Sequence, residues 1–191
     1  MGLDMYLKAR RKCVDVSQQV ADFKSHYDGH PYRHDDDDDV VYIPAWSHSH
    51  QWQIDIFHDI LDAAELRCSW HPPEGEGSRD GPSLEVEGDT VSVRVGDWSN
   101  AYAIHAWFVR NVQNDVDECQ KSVVTGKHLL ELKEECEDAL KDPECGFFFG
   151  STEKDEWYTS IIKETIETCD RGLDYLRRGC EIVYQSSGRM E

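Results

Sequence analysis

The residues of this chain that could do chemistry gather in two aromatic stretches, WSNAYAIHAWFVRNV at residues 98–112 and GFFFGSTEKDEWY at residues 146–158. His105 is the natural general base. Paired with Cys119 or Ser151 as nucleophile it would serve acyl transfer, and Asp155 with Glu156 would make an acid/base pair. The structural readings compete directly. A lone histidine among apolar neighbours usually donates to a backbone carbonyl, and a cysteine on a helix face is usually a small hydrophobe. No residue is therefore assigned a catalytic role, and the chain leans away from being an enzyme. The candidate binding residues are Trp98, Asn100, His105, Trp107, Ser151, Asp155, Trp157 and Tyr158, aromatic and polar groups suited to a pocket or a contact surface.

Two further motifs invite ligands. Gly150 and Ser151 resemble a helix start that could accept an anion on its exposed N–H groups. Glu153, Asp155 and Glu156 crowd the same turn, oppose phosphate and favour simple capping, and no phosphate-loop lysine stands at the required spacing. Around residues 28–50, His30, His34, His48 and His50 flank five aspartates at residues 35–39, a donor set that divalent metals accept. Nothing in the spacing closes a coordination geometry, and like charges in a row keep a loop solvated. No metal and no cofactor is expected.

Composition narrows the partners. The 191 residues carry 20 Lys and Arg against 39 Asp and Glu, a net charge of −19. Such a field repels phosphate backbones and anionic membrane surfaces, so direct nucleic-acid or membrane binding is not expected, whereas basic protein surfaces are attracted. Six Trp, eight Tyr and six Phe argue for a folded core. The N-terminus lacks an apolar signal region, and no apolar run reaches the roughly 18 residues of a membrane span, which predicts a cytoplasmic protein. Seven cysteines without a CxxC pair read as free, mostly buried thiols.

Elements that would hold these residues follow from periodicity. Leu3, Met5, Leu7 and Ala9 alternate as in a strand over residues 2–9. Cys13, Val16, Val20 and Phe23 fit a short helix at about 12–26, residues 40–43 a brief strand, and residues 53–68 a second helix. A mobile loop at 72–82 leads to a hairpin turning at Gly88 and Asp89 within residues 84–95. Ser99 is placed to cap a helix over 99–114 that buries His105 and turns Trp107 and Arg110 elsewhere. Thr125 caps a helix over 126–141, residues 146–150 read as a buried strand, and an apolar stripe predicts one long helix from 154 to 184. Gly172 and Gly179 in that helix would let a neighbour approach closely. The fold class is thus α+β: a single domain over residues 1–191, with a small, mostly antiparallel sheet packed by four to five helices including a long C-terminal helix.

The opening MGLDMYL, the NAYAIHAWFVRNVQ stretch and GFFFGSTEKDEWY resemble a family of small uncharacterised bacteriophage and prophage proteins. The resemblance covers the first ten residues and most of 98–176, and His105, Trp107, Gly150, Ser151, Asp155 and Trp157 fall inside its signature stretches. It implies a setting among accessory phage genes, in the host cytoplasm, and implies no reaction. The chain departs from the pattern in its acidic, histidine-rich insert at 28–50 and in DWSNAYAIH, where a more basic run is usual.

The expected function is non-catalytic binding to a host or defence protein, with a basic or nucleic-acid-handling protein as partner and carboxylates mimicking nucleic-acid phosphates. The alternative is a small-molecule-binding protein or hydrolase with a pocket near His105 and Asp155. The oligomeric state is left open, a homodimer through the C-terminal helix being one outcome.

Overall fold

The computed structural model describes residues 3–26, 40–44, 51–66, 83–141 and 156–188. Its elements in chain order are β1 (Asp4–Arg11), α1 (Ser17–His26), β2 (Val40–Pro44), α2 (Gln51–Ala63), β3 (Ser83–Glu87), β4 (Thr90–Ser99), α3 (Tyr102–Asn111), β5 (Ser122–Val124), α4 (Gly126–Lys141), α5 (Glu156–Arg177) and β6 (Glu181–Ser186). The strands form one sheet in the order β2-β3-β4-β1-β6-β5. Pairing is antiparallel at β2–β3, β3–β4 and β5–β6. This is the expected α+β class. None of the described helices is long and apolar enough to cross a membrane. Two compact units share the chain, Met1–Ala9 with Val95–Glu191, and Arg10–Arg94.

In the unit Arg10–Arg94, the hairpin of β3 and β4 turns on Gly88 and Asp89 with Glu87 opposite Thr90. Gly88 has φ +58°, a conformation that glycine adopts without strain and that two-residue hairpin loops need. β2 lies on the far side of β3, so the brief strand read at residues 40–43 is present. α1 starts later than the spacing predicts. Cys13 has φ +62° and is exposed, because the chain turns there before Asp15 accepts the backbone N–H and hydroxyl of Ser17 at the helix start. α2 ends at Ala63 and points Asp55, His58, Asp59 and Asp62 outward as expected. Trp52 of α2 stacks on His26 at 4.8 Å and meets Phe23 at 5.9 Å, joining the two helices through rings.

In the other unit, β1 buries Leu3, Met5, Leu7 and Ala9 in strict alternation. The alternation of β4 breaks at Val95 and Gly96, which are both buried, as at a β-bulge. The Val95 carbonyl takes a hydrogen bond from Arg171 Nε at 3.0 Å. α4 opens on the expected Thr125 cap. Thr125 Oγ1 accepts from the backbone N–H of His128 while His128 Nδ1 accepts from that of Thr125, a reciprocal box in which histidine replaces the usual glutamate. α4 and α5 meet closely at Gly172, where an added Cβ would lie 2.8 Å from Leu129 Cδ1, and Lys133 bridges them to Asp170. The apolar stripe of α5 is thus occupied within the chain by α4.

Two expectations give way here, and a third falls outside the described residues. The long helix does not reach residue 184: it stops at Arg177, and residues 181–186 form β6. The cause is Gly179, at φ +80°. Its N–H bonds the Leu176 carbonyl while that of Cys180 reaches back to Tyr175, a Schellman stop that turns the chain into the sheet. Gly179 therefore ends a helix, and among the described residues nothing lies close against it. Second, Ser99 does not cap α3. It ends β4 and donates to Asp4 Oδ1 at 2.7 Å, and α3 begins at Tyr102 without a side-chain cap. Third, the strand expected at residues 146–150 lies outside the described residues, and β5 and β6 supply strands that periodicity missed.

Candidate functional site

The expected site residues do not behave alike. Trp98 lies in β4, buried, and its indole N–H donates to Thr165 Oγ1 on α5 at 2.9 Å. Asn100 takes φ +57° and pairs twice with Leu3, donating its backbone N–H to the Leu3 carbonyl and accepting the Leu3 N–H on its Oδ1. That double bond pins the start of β1 to the end of β4. Trp107 was expected away from the core face and is instead buried, 2% exposed, edge-on to Phe108 at 5.3 Å. Its indole N–H has no hydrogen-bond partner among the described residues. Ser151 and Asp155 lie outside the described residues. Trp157 falls in the first turn of α5, and Tyr158 is half-buried there with its phenol pushed up by burial.

The chemistry converges on His105. Its ring is 0% exposed, with Nδ1 2.6 Å from the hydroxyl of Tyr184 and Nε2 3.1 Å from Asp117 Oδ2. A carboxylate only accepts, so Nε2 carries a proton toward Asp117, and in the neutral ring Nδ1 then accepts from the Tyr184 hydroxyl. Burial holds the Tyr184 phenol far above its ordinary pKa, with Asp117 and Cys119 adding to the shift, so it remains a donor. Phe108 stacks on Tyr184 at 4.0 Å and 8°, closing the ring cluster. Both histidine nitrogens are thus spent inside the protein. The triad ties α3, β6 and the loop before β5 together.

That loop, residues 112–121, holds several residues in the left-handed backbone region. Asn114, Asp115 and Cys119 all have positive φ, at +54°, +61° and +57°. Each such residue costs free energy that its surroundings must offset. Side chains supply the offset. Gln113 Nε2 donates to the Gln120 carbonyl and to Ser122 Oγ, and Gln120 receives the Glu118 N–H and donates to the Val116 carbonyl. Asp115 and Glu118 face solvent on it, whereas Asp117 turns in to His105. Tyr184 and Asp117 are the members that the sequence reading missed: Tyr184 had been placed on a helix, and an aspartate in an acidic run carries no local mark of burial.

Among the described residues no group of three or more His, Cys, Asp or Glu is placed to hold a metal. The histidines and aspartates of residues 30–39 and 48–50 lie outside them. Of the five described cysteines, Cys136, Cys169 and Cys180 are buried, Cys119 is half-buried and Cys13 is exposed. Burial pushes Cys169 up to about 12 and Cys136 higher still, so these thiols are inert packing groups. Comparison with protein-family models, with curated proteins and with solved structures returns no match.

Glu164 on α5 offers a test of surface charge. Desolvation by the surrounding chain raises its carboxyl above the ordinary 4.5 although the residue is exposed, the Asp97 charge adds to this, Arg171 opposes it and Glu167 adds again. A carboxyl raised by folding costs stability when charged, and the cost disappears as pH falls through the raised value. Glu164→Gln should therefore raise the melting temperature at pH 7 and leave it nearly unchanged below pH about 4, where both side chains are neutral. Equal shifts at both pH values would show that packing, not charge, governs the position.

Proposed function

We propose that this protein acts by non-catalytic binding to a basic, nucleic-acid-handling protein, as an acidic accessory protein of the phage type whose carboxylates stand where phosphates would. Its target is then a host or defence protein in the host cytoplasm. The observation that supports the reading most is the fate of His105. The side chain best suited to chemistry has both nitrogens engaged and no exposure, while Asp115 and Glu118, on a loop stapled by glutamine side chains, face solvent. A fixed loop presenting charge loses little entropy when a partner docks.

The test is affinity capture from infected and uninfected host cells, followed by kinetics with the recovered partner. Association should be steered by long-range charge, so the on-rate should fall steeply as salt rises beyond physiological strength. Asp115→Asn with Glu118→Gln should slow association several-fold, roughly, and flatten that salt dependence, with the melting temperature unchanged. Asp117 is left intact because it anchors His105. Recovery of no basic partner, together with a metabolite held by the purified protein, would refute the reading.

A further inference from the structure

Helices α4 and α5 leave a small apolar hollow on their outer side, at the end where α4 begins. An ideal Cβ on Gly126 would meet only Leu176 Cδ1 at 3.7 Å and Leu173 Cδ2 at 3.8 Å, so the absent side chain leaves room for a methyl group above two leucines. All three residues are half-buried. Leu130 stands one turn further along the same face of α4 and is 56% exposed, more than any other large apolar side chain among the described residues. Knob and hollow lie side by side. Single exposed leucines are ordinary on a protein surface, but one placed a helical turn from a hollow that a leucine methyl fits is suited to a second copy of itself.

Charge favours the same occupant. Around this face Lys127 pairs with Glu131, Lys133 with Asp170 and Arg178 with Asp174, each within the chain. Glu134, one turn beyond Leu130, and Arg177, next to Leu176, are both exposed, and among the described residues neither makes a hydrogen bond or an ion pair. One carries each sign. The face is therefore close to neutral in a chain of net charge −19, and it offers a basic partner no excess of carboxylate, unlike the loop with Asp115 and Glu118. Laying α4 antiparallel on the α4 of another copy, about a two-fold axis midway between Gly126 and Leu130, sets Leu130 of each over Gly126 of the other and brings Glu134 of each toward Arg177 of the other. Such self-complementarity is what an isologous contact requires.

We propose that this face of α4, with the C-terminal end of α5, is a two-fold contact between copies of the protein, in which Leu130 of each copy fills the hollow over Gly126, Leu173 and Leu176 of the other and Glu134 pairs with Arg177 across the axis. The patch is small beside the roughly 800 Å² per partner of a stable dimer, so the dimer forms at high concentration and exchanges quickly. Salt favours it. Two chains of −19 repel over long range, and salt screens that repulsion across the whole surface while weakening only two short exposed pairs. Binding of a basic partner at the acidic loop has the opposite salt dependence, so the two contacts are separable.

Sedimentation velocity on the whole protein tests this, with samples from about 10 µM to about 1 mM at low and at physiological salt. The mass should rise toward that of a dimer with concentration, and more so at the higher salt. Leu130→Ser should weaken association at least about tenfold and leave the melting temperature unchanged, because the side chain is exposed in the single copy. Glu134→Arg and Arg177→Glu should each weaken it several-fold. Both changes in one chain keep the net charge and should restore association, because the pair is then reversed across the axis. A monomer at every concentration and both salts would overturn the contact, as would association that survives Leu130→Ser or a double reversal weaker than either single one. Loss of a captured partner in Leu130→Ser, without self-association of the parent, would give the hollow to that partner and overturn the inference too.

Discussion

His105→Ala should lower the free energy of unfolding by about 3–5 kcal/mol. The substitution removes a ring that is wholly buried, leaves the Tyr184 hydroxyl and Asp117 without their shared partner, and opens a void beside Tyr184. Cavity and lost hydrogen bonds act in the same direction. Tyr184→Phe keeps the stack on Phe108 and removes only the donor to Nδ1, so it should cost about 1–2 kcal/mol. Urea denaturation measures both. Hydrogen exchange supplies a second readout, because the loop at residues 112–121 holds three residues at positive φ and is tied to the core through Asp117. In His105→Ala its amides should lose protection beyond the global change. A variant that unfolds within about 1 kcal/mol of the parent would mean that the network is not a structural lock.

Gly96→Ala should cost about 2–3 kcal/mol through overpacking. An ideal Cβ at this position would lie 2.4 Å from Cγ2 and 2.6 Å from Oγ1 of Thr168, on a helix that cannot retreat freely. Arg171 holds that part of α5 to β4 through the Val95 carbonyl, and Trp98 holds it through Thr165. Thr168→Ala alone loses the hydroxyl that accepts from Arg171 at 2.8 Å, a cost of about 1 kcal/mol. The double substitution removes the two clashing atoms and leaves only the Thr168 Cβ at 3.1 Å, so it should be more stable than the sum of the single variants requires. A double-mutant cycle with a coupling of at least about 1 kcal/mol is the expected outcome. Strict additivity would show that the strand and helix separate to admit the methyl group.

Local pattern in the chain is enough to specify several parts of this protein. Alternation in Leu3, Met5, Leu7 and Ala9, the turn at Gly88, the Thr125 cap and the apolar faces of α2 and α4 need only neighbours within a few residues, and all were legible. The burial of His105 was legible for the same reason. Tertiary structure decided what those faces meet. Tyr184 sits on a stretch whose spacing continues a helical stripe, and the strand there exists because Gly179 reverses the chain and β5 offers a pairing partner. Ser99 has the chemistry of a cap, yet Asp4, 95 residues away in sequence, takes its hydroxyl. Trp107 lies off the helical stripe and is buried even so. The pairing of His105 with Asp117 and Tyr184 was not legible, because hydrogen bonds across 12 and 79 residues depend on how elements pack and leave no periodic trace in the chain.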